Sequence, residues 1–308
     1  MTTTTAAPFG RLMTAMITPM TSDGAVDYVG AATLAAYLVG EMRNEGLVVN
    51  GTTGEAPTTT DAEKKRLLEV VREAVGPDVS IVAGVGTNIT AHTVELARQA
   101  EAAGADGLLV VTPYYSKPAQ DALAAHFTTV ADSTGLPMII YDIPGRSAVA
   151  VTTGTLVKVA EHPRIVGVKD AKGDLAATSE VLSRTGLAYY SGDDAMNLPL
   201  WSVGAVGCIS VTGHVVGDRI HAMLQAFTEG RNAEAARLHR SMLPVNIGLF
   251  RNQAAVMTKA AMDLLGLPGG GVRGPLLRAS AAERHTLRED LTAGGVKLPT
   301  NAANGAAE

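Results

Sequence analysis

Short apolar stretches of β type recur along the chain roughly every thirty residues, at 12–19 (LMTAMITP), 46–51 (GLVVNG), 80–86 (SIVAGVG), 107–113 (GLLVVTP), 137–144 (PMIIYDIP), 165–171 (IVGVKDA), 188–194 (AYYSGDD) and 207–212 (GCISVT). Within most of them apolar residues run on rather than alternate with polar ones, the pattern of a strand buried on both faces. The segments between carry Ala, Leu and charge at helical spacing, as in DAEKKRLLEVVREAV at 61–75 and TAHTVELARQAEAAG at 90–104. A capping box, Thr60-x-x-Glu63, opens the first of these. Strand and helix therefore alternate, which predicts a parallel sheet covered by helices.

Eight such units closing on themselves make an α/β fold, the TIM (β/α)8 barrel. A doubly wound open sheet is the competing arrangement, but no G-x-G-x-x-G follows a strand, because Gly84-x-Gly86 is followed three residues later by Ile89. After about residue 230 the strand signals stop. The runs NAEAARLHRSMLPVNIGLF, QAAVMTKAAMDLLG and SAAERHTLREDLTAGG then predict three helices. The expected organisation is a catalytic barrel over 11–230 and a C-terminal helical appendage over 231–298. The flanking 1–10 and 299–308 hold too few large apolar residues to order themselves and are expected to be tails.

Composition narrows the function. A chain of 308 residues with formal net charge −5 gives no electrostatic reason to expect nucleic acid or an anionic membrane as partner. The N-terminus MTTTTAAPFG has neither a basic nor an apolar leader region, and no stretch approaches the ~20 apolar residues of a membrane span, so a cytoplasmic protein is expected. The single cysteine, Cys208, lies in the apolar run GAVGCIS and reads as a buried structural thiol. Seven histidines show no metal-binding spacing, and neither a Walker A segment nor a G-x-S-x-G elbow is present. Asp193-Asp194 reads as a loop cap after the seventh strand, and PGGG at 268–271 as a linker turn.

One residue resists a structural explanation. The sixth strand, Ile165-Val166-Gly167-Val168, ends in Lys169, where a barrel keeps its catalytic residues. A buried ammonium is costly unless it is paired or loses its proton. Pairing with Asp170 or Asp194 would satisfy it; otherwise a lysine with a lowered pKa can attack a carbonyl and form a Schiff base. Period-two alternation places Ile165, Gly167 and Lys169 on one face, Gly167 leaving space beneath the lysine stem. The segments IIYDIPG and GVKDAKG align at a separation of 28 residues, so Tyr141 and Lys169 are expected at equal height on neighbouring strands, a phenol beside an amine.

Three further stretches fall at strand ends. In NGTTGEAP, residues 50–57, glycines flank Thr52 and Thr53, so hydroxyls and backbone N–H groups can converge on a carboxylate; an ordinary Gly-rich turn would look the same. In TPYYSKP, residues 112–118, Tyr114 and Tyr115 are expected at the barrel mouth, as reactive groups or as a structural aromatic pair. Arg146, just beyond Tyr141, is either a surface arginine or a bidentate clamp for a carboxylate.

In their order along an eight-unit barrel, GTTGE (51–55), TPYYSKP (112–118), YDIPGRS (141–147), GVKDA (167–171) and SGDD (191–194) closely resemble the dihydrodipicolinate synthase family, within the pyruvate-dependent class I aldolases that include N-acetylneuraminate lyase. The likeness spans about Gly10 to Leu298. It implies that Lys169 forms a Schiff base with pyruvate, whose carboxylate rests on Thr52 and Thr53. Thr52, Tyr141 and Tyr115 would form a proton relay, Tyr115 reaching into a neighbouring subunit of a tight dimer. The resulting enamine would add to L-aspartate 4-semialdehyde, held by Arg146 and the backbone of Gly192, with Ile209 completing the substrate-binding set. Transimination would then free Lys169 and close the ring of 4-hydroxy-tetrahydrodipicolinate, on the way to lysine and diaminopimelate. The resemblance implies no metal or organic cofactor, and a homotetramer built as a dimer of dimers.

Sialic acid lyases of the same superfamily carry Ser-Thr in the second-strand loop and lack the arginine, so Thr52 and Arg146 favour the synthase. Aldolases and dehydratases of sugar acids are the alternative, and a keto-acid-binding barrel without activity is a third reading. Family members inhibited by lysine place histidines and an acidic residue in an effector pocket. The matching positions here are Asp61, Lys64 and His92, with Asn88 and Tyr114 retained, which predicts weak or absent lysine feedback.

Overall fold

In the computed structural model, which describes residues 6–299, eight parallel strands close into a barrel in sequence order, each pairing with the next and the last with the first. The first half runs β1 (Leu12–Ala15), α1 (Tyr28–Gly40), β2 (Gly46–Val49), α2 (Asp61–Val75), β3 (Ser80–Gly84), α3 (Thr90–Ala102), β4 (Gly107–Val111) and α4 (Gln120–Asp132). The second half runs β5 (Met138–Asp142), α5 (Pro144–Ser147), α6 (Thr153–Val159), β6 (Ile165–Asp170), α7 (Leu175–Arg184), β7 (Ala188–Ser191), α8 (Asn197–Ser202), β8 (Gly207–Ser210) and α9 (Gly213–Thr228). Three helices follow, α10 (Asn232–Leu249), α11 (Ala254–Leu265) and α12 (Ala281–Ala293). Among the described residues no helix is long and apolar enough to cross a membrane.

The continuous apolar strands have the physical consequence expected of them. Leu12, Leu47, Ile81, Leu108, Met138, Val168, Tyr189 and Cys208 pack outward against the helices. Met13, Val48, Val82, Leu109, Ile139, Tyr190 and Ile209 fill the barrel interior. The capping box of α2 forms as the spacing predicted: Thr60 Oγ1 accepts from Glu63 N at 3.2 Å and Glu63 Oε2 accepts from Thr60 N at 2.8 Å.

Two expectations need correction. Phe9 lay in the stretch expected as a tail, yet it is 2% exposed and belongs to the interior cluster. Its ring packs where a Cβ on Gly107 would meet it at 2.3 Å, so the missing side chain makes room for the aromatic plug. A single phenylalanine among small residues carries too little periodicity to announce itself. Residues 1–5 and 300–308 of the expected tails lie outside the described residues. The second correction concerns β6. The register shifts between Met138 and Ile139, which pair with Ile165 and Gly167, so Val166 is bulged out of the ladder. Ile165 therefore faces the helices and Val166 the interior, whereas Gly167 and Lys169 keep the inward face. Period two fails at the bulge and holds beyond it.

Candidate active site

Every strand-end segment singled out above lies at one end of the barrel, because the strands are parallel and all point there. Tyr141 and Lys169 are direct register partners across β5 and β6. Lys169 is 4% exposed, with Nζ 4.2 Å from the centroid of the Tyr141 ring. No carboxylate among the described residues stands within ion-pair distance of it. Asp170 instead accepts from Lys172 N at 2.8 Å, Gly173 N at 3.1 Å and Thr178 Oγ1 at 3.2 Å. Asp194 accepts from Val211 N and Thr212 N, each at 2.9 Å, and from the Ser210 hydroxyl. Both candidate partners are thus occupied as loop caps, which removes the ion-pair explanation of Lys169.

Burial lowers the Lys169 ammonium from 10.5 to about 8, with the Asp194 carboxylate opposing the shift and the Arg146 guanidinium adding to it. Burial pushes the Tyr141 phenol well above its ordinary value, Arg146 partly offsetting this. The pair is therefore an amine with a substantial neutral fraction beside a phenol that keeps its proton. Gly192 follows β7 and closes the site from that side: a Cβ there would stand 3.0 Å from Cγ and Cε of Lys169 and 3.0 Å from Asp170 O. Only glycine lets the backbone approach the lysine stem this closely.

The β2 loop supplies Thr52 and Thr53. Asn50 and Glu55 take left-handed φ values of 62° and 57°, and bonds from Gly54 N and Ala56 N to Gly51 O, with Glu55 N to Thr52 O, wind the segment into consecutive turns. No acceptor among the described residues takes the N–H or hydroxyl of Thr52 or Thr53, so both remain available to a ligand. A cavity of about 470 Å³ opens here, walled by Thr52, Tyr141, Ile143 and Arg146, and extending to Lys64, His92 and Tyr114. Lys169, Thr53, Gly192 and Ile209 are not part of this wall; the Ile209 side chain is wholly buried in the barrel interior.

Tyr115 does not stand beside Tyr114 at the mouth of its own barrel. Of the pair expected at the mouth, Tyr114 lines the cavity, but Tyr115 has φ of 74° and is 89% exposed, turned away from Lys169 of its own chain. The reversed backbone sends consecutive side chains apart, which spacing alone does not reveal.

Several residues around the site escaped the sequence reading. Lys172 Nζ reaches Asp142 Oδ2 at 3.0 Å, so an ion pair straps the strand ends that carry Lys169 and Tyr141. Glu55, the last residue of the GTTGE motif, pairs with Lys259 of α11, both side chains only 2% exposed. The available signal was a lysine inside VMTKAAM, a charge in an otherwise apolar helix face.

Comparison with known proteins points the same way. The profile of the Dihydrodipicolinate synthetase family matches residues 8–294. The 4-hydroxy-tetrahydrodipicolinate synthase of Acidothermus cellulolyticus is 58% identical over 302 residues, 98% of this chain and 97% of its own. A second from Streptomyces coelicolor is 56% identical over 297 residues, 96% of this chain and 99% of its own. Among solved structures, dihydrodipicolinate synthase from Cyanidioschyzon merolae with lysine bound is 39% identical, with TM-score 0.90 over 93% of this chain and 98% of its own. The chloride-inhibited enzyme from Acinetobacter baumannii complexed with pyruvate is 33% identical, with TM-score 0.90 over 94% of this chain and 100% of its own.

Proposed function

We propose, for a chain that belongs to the dihydrodipicolinate synthetase family, that Lys169 is the nucleophile in the condensation of pyruvate with L-aspartate 4-semialdehyde to 4-hydroxy-tetrahydrodipicolinate. The observation that carries this reading is the Lys169–Tyr141 pair: a buried amine with a pKa of about 8, without an ion-pair partner among the described residues and lying on a phenol ring.

The chemistry follows from the groups present. Neutral Lys169 adds to the ketone of pyruvate, and loss of water from the carbinolamine leaves a protonated Schiff base. Tyr141 gives its proton to the departing oxygen and, with Thr52, passes protons between the site and solvent. Tyr115 completes that relay from a neighbouring subunit of a tight dimer, which accounts for its turning out of its own barrel. The pyruvate carboxylate accepts from the N–H and hydroxyl groups of Thr52 and Thr53. Proton loss from the methyl group gives an enamine, whose carbon attacks the aldehyde. Arg146 binds the carboxylate of the semialdehyde bidentately, while the backbone of Gly192 helps to place its amino end and Ile209 belongs to the substrate-binding set. That amine then displaces Lys169, closing the ring and restoring the free lysine. The assembly proposed is a homotetramer of two tight dimers, acting in the cytoplasm without a cofactor.

Incubation of the purified protein with both substrates, read by mass spectrometry, tests the assignment. The cyclic product is expected, together with a pyruvate adduct on Lys169 after borohydride reduction. Absence of product while the adduct still forms would move the assignment to a sugar-acid aldolase. Absence of both would leave only a keto-acid-binding barrel.

A further inference from the structure

The helical appendage reaches the β2 loop at the barrel mouth through Lys259 and Arg273. Lys259, in the middle of α11, is 1% exposed and donates to Glu55 Oε1 and to Gly271 O. The other Glu55 oxygen accepts from Arg273 N at 3.0 Å. Arg273 then spreads its guanidinium over Gly24 O at 2.8 Å, Thr58 O at 2.7 Å and the Glu63 carboxylate at 2.6 and 2.9 Å. Glu55 is itself the last residue of the turn, its N–H bonded to Thr52 O at 3.1 Å and its carbonyl accepting from Thr58 N at 2.9 Å. Thr18 Oγ1 ties down the neighbouring Gly54 carbonyl at 2.7 Å.

Two features of this arrangement exceed what fold stability calls for. A charge pair removed from water on both sides is replaceable by apolar groups at little or no loss of stability, so its presence calls for another reason. Moreover, the pair joins residues 204 positions apart, and its carboxylate sits in the turn whose Thr52 and Thr53 offer uncommitted donors. Glu55 holds a left-handed backbone at φ 57°, a conformation that a glutamate keeps only when its surroundings hold it there.

We infer that Glu55 and Lys259 are positioning residues: the appendage, through Lys259 and the backbone of Arg273, fixes the turn that presents Thr52 and Thr53 to the substrate carboxylate. This rests on the proposed pyruvate-binding role of that turn. The appendage thereby contributes to substrate affinity from outside the barrel, and substitutions in α11 are expected to act on pyruvate before they act on the second substrate.

The experiment compares Lys259→Met, Glu55→Gln, the double variant Lys259→Met/Glu55→Leu and Thr53→Val in the full chain. The readouts are thermal midpoint, KM for each substrate, and the pyruvate concentration for half-maximal borohydride trapping. Each single charge deletion is expected to lower the midpoint and raise half-saturation by pyruvate about tenfold, with KM for the semialdehyde little changed. In the double variant no buried charge is left unpaired, so the midpoint recovers while pyruvate half-saturation stays high. A double variant in which pyruvate affinity recovers along with the midpoint would overturn the inference and leave a purely structural ion pair. Should single variants fail to fold, the double variant alone decides by the same readout. Thr53→Val separates the premise: normal half-saturation there sinks the carboxylate role of the turn and the inference with it. A raised value there beside a normal one in the double variant sinks the inference alone.

Discussion

Replacing Lys169 by methionine should abolish Schiff-base chemistry and at the same time stabilise the fold, by an amount that depends on pH. The ammonium titrates at about 8 in the folded protein against 10.5 ordinarily, because burial withdraws its hydration by more than the Asp194 carboxylate restores. Between those values the unfolded chain binds more protons than the folded one, so this group's contribution to stability rises with pH. The penalty is complete below about pH 8, where both states are protonated, and fades as pH climbs toward 10.5. At 1.36 kcal/mol per pH unit it amounts to about 3 kcal/mol at pH 7 and about 1 kcal/mol at pH 9.5. Methionine fills most of the stem's space without a charge, so Lys169→Met is expected to gain those amounts over the parent. Urea unfolding at a fixed protomer concentration, followed by the fluorescence of buried Trp201, measures the difference at each pH. A variant less stable than its parent at pH 7, or a gain that does not shrink toward pH 9.5, would refute the reasoning, since either result means the lysine is paired or hydrated in the native state.

Four further outcomes follow from the same geometry. Borohydride trapping of pyruvate on Lys169 should accelerate with pH and level off above about 8, and Arg146→Ala should move that inflection upward by removing a nearby positive charge. Tyr141→Phe should lower kcat by about 10²–10⁴, the usual worth of a positioned proton donor, with the far-UV circular dichroism unchanged. In Gly192→Ala the new Cβ would crowd Cγ and Cε of Lys169 at 3.0 Å, so slower trapping and a stability loss of about 1–3 kcal/mol are expected; parental trapping kinetics would contradict that packing. Finally, Lys64 stands in the cavity with His92 beside Asp61, His92 Nε2 lying 2.9 Å from Asp61 Oδ2, so added L-lysine should leave the steady-state rate unchanged. Inhibition at cellular lysine concentrations would count against this.

The barrel was legible in the sequence because its signal is local and repeated. Strands buried on both faces must be apolar throughout, and helices that cover them must show a period near 3.6, so each unit declares itself within about thirty residues. The equal height of Tyr141 and Lys169 was legible for a similar reason. Parallel strands at constant register convert a fixed sequence offset into adjacency, and the bulge at Val166 falls before the paired segment and leaves it intact. Tertiary structure alone decided the rest. Whether Asp170 and Asp194 neutralise Lys169 depends on which backbone N–H groups their loops bring to them, and those loops spend both carboxylates as caps. Tyr115 turns away through one positive φ that no residue preference required of a tyrosine. The Glu55–Lys259 pair joins parts of the chain with no shared periodicity, so only the folded packing of α11 against the β2 loop could bring two charges together out of water.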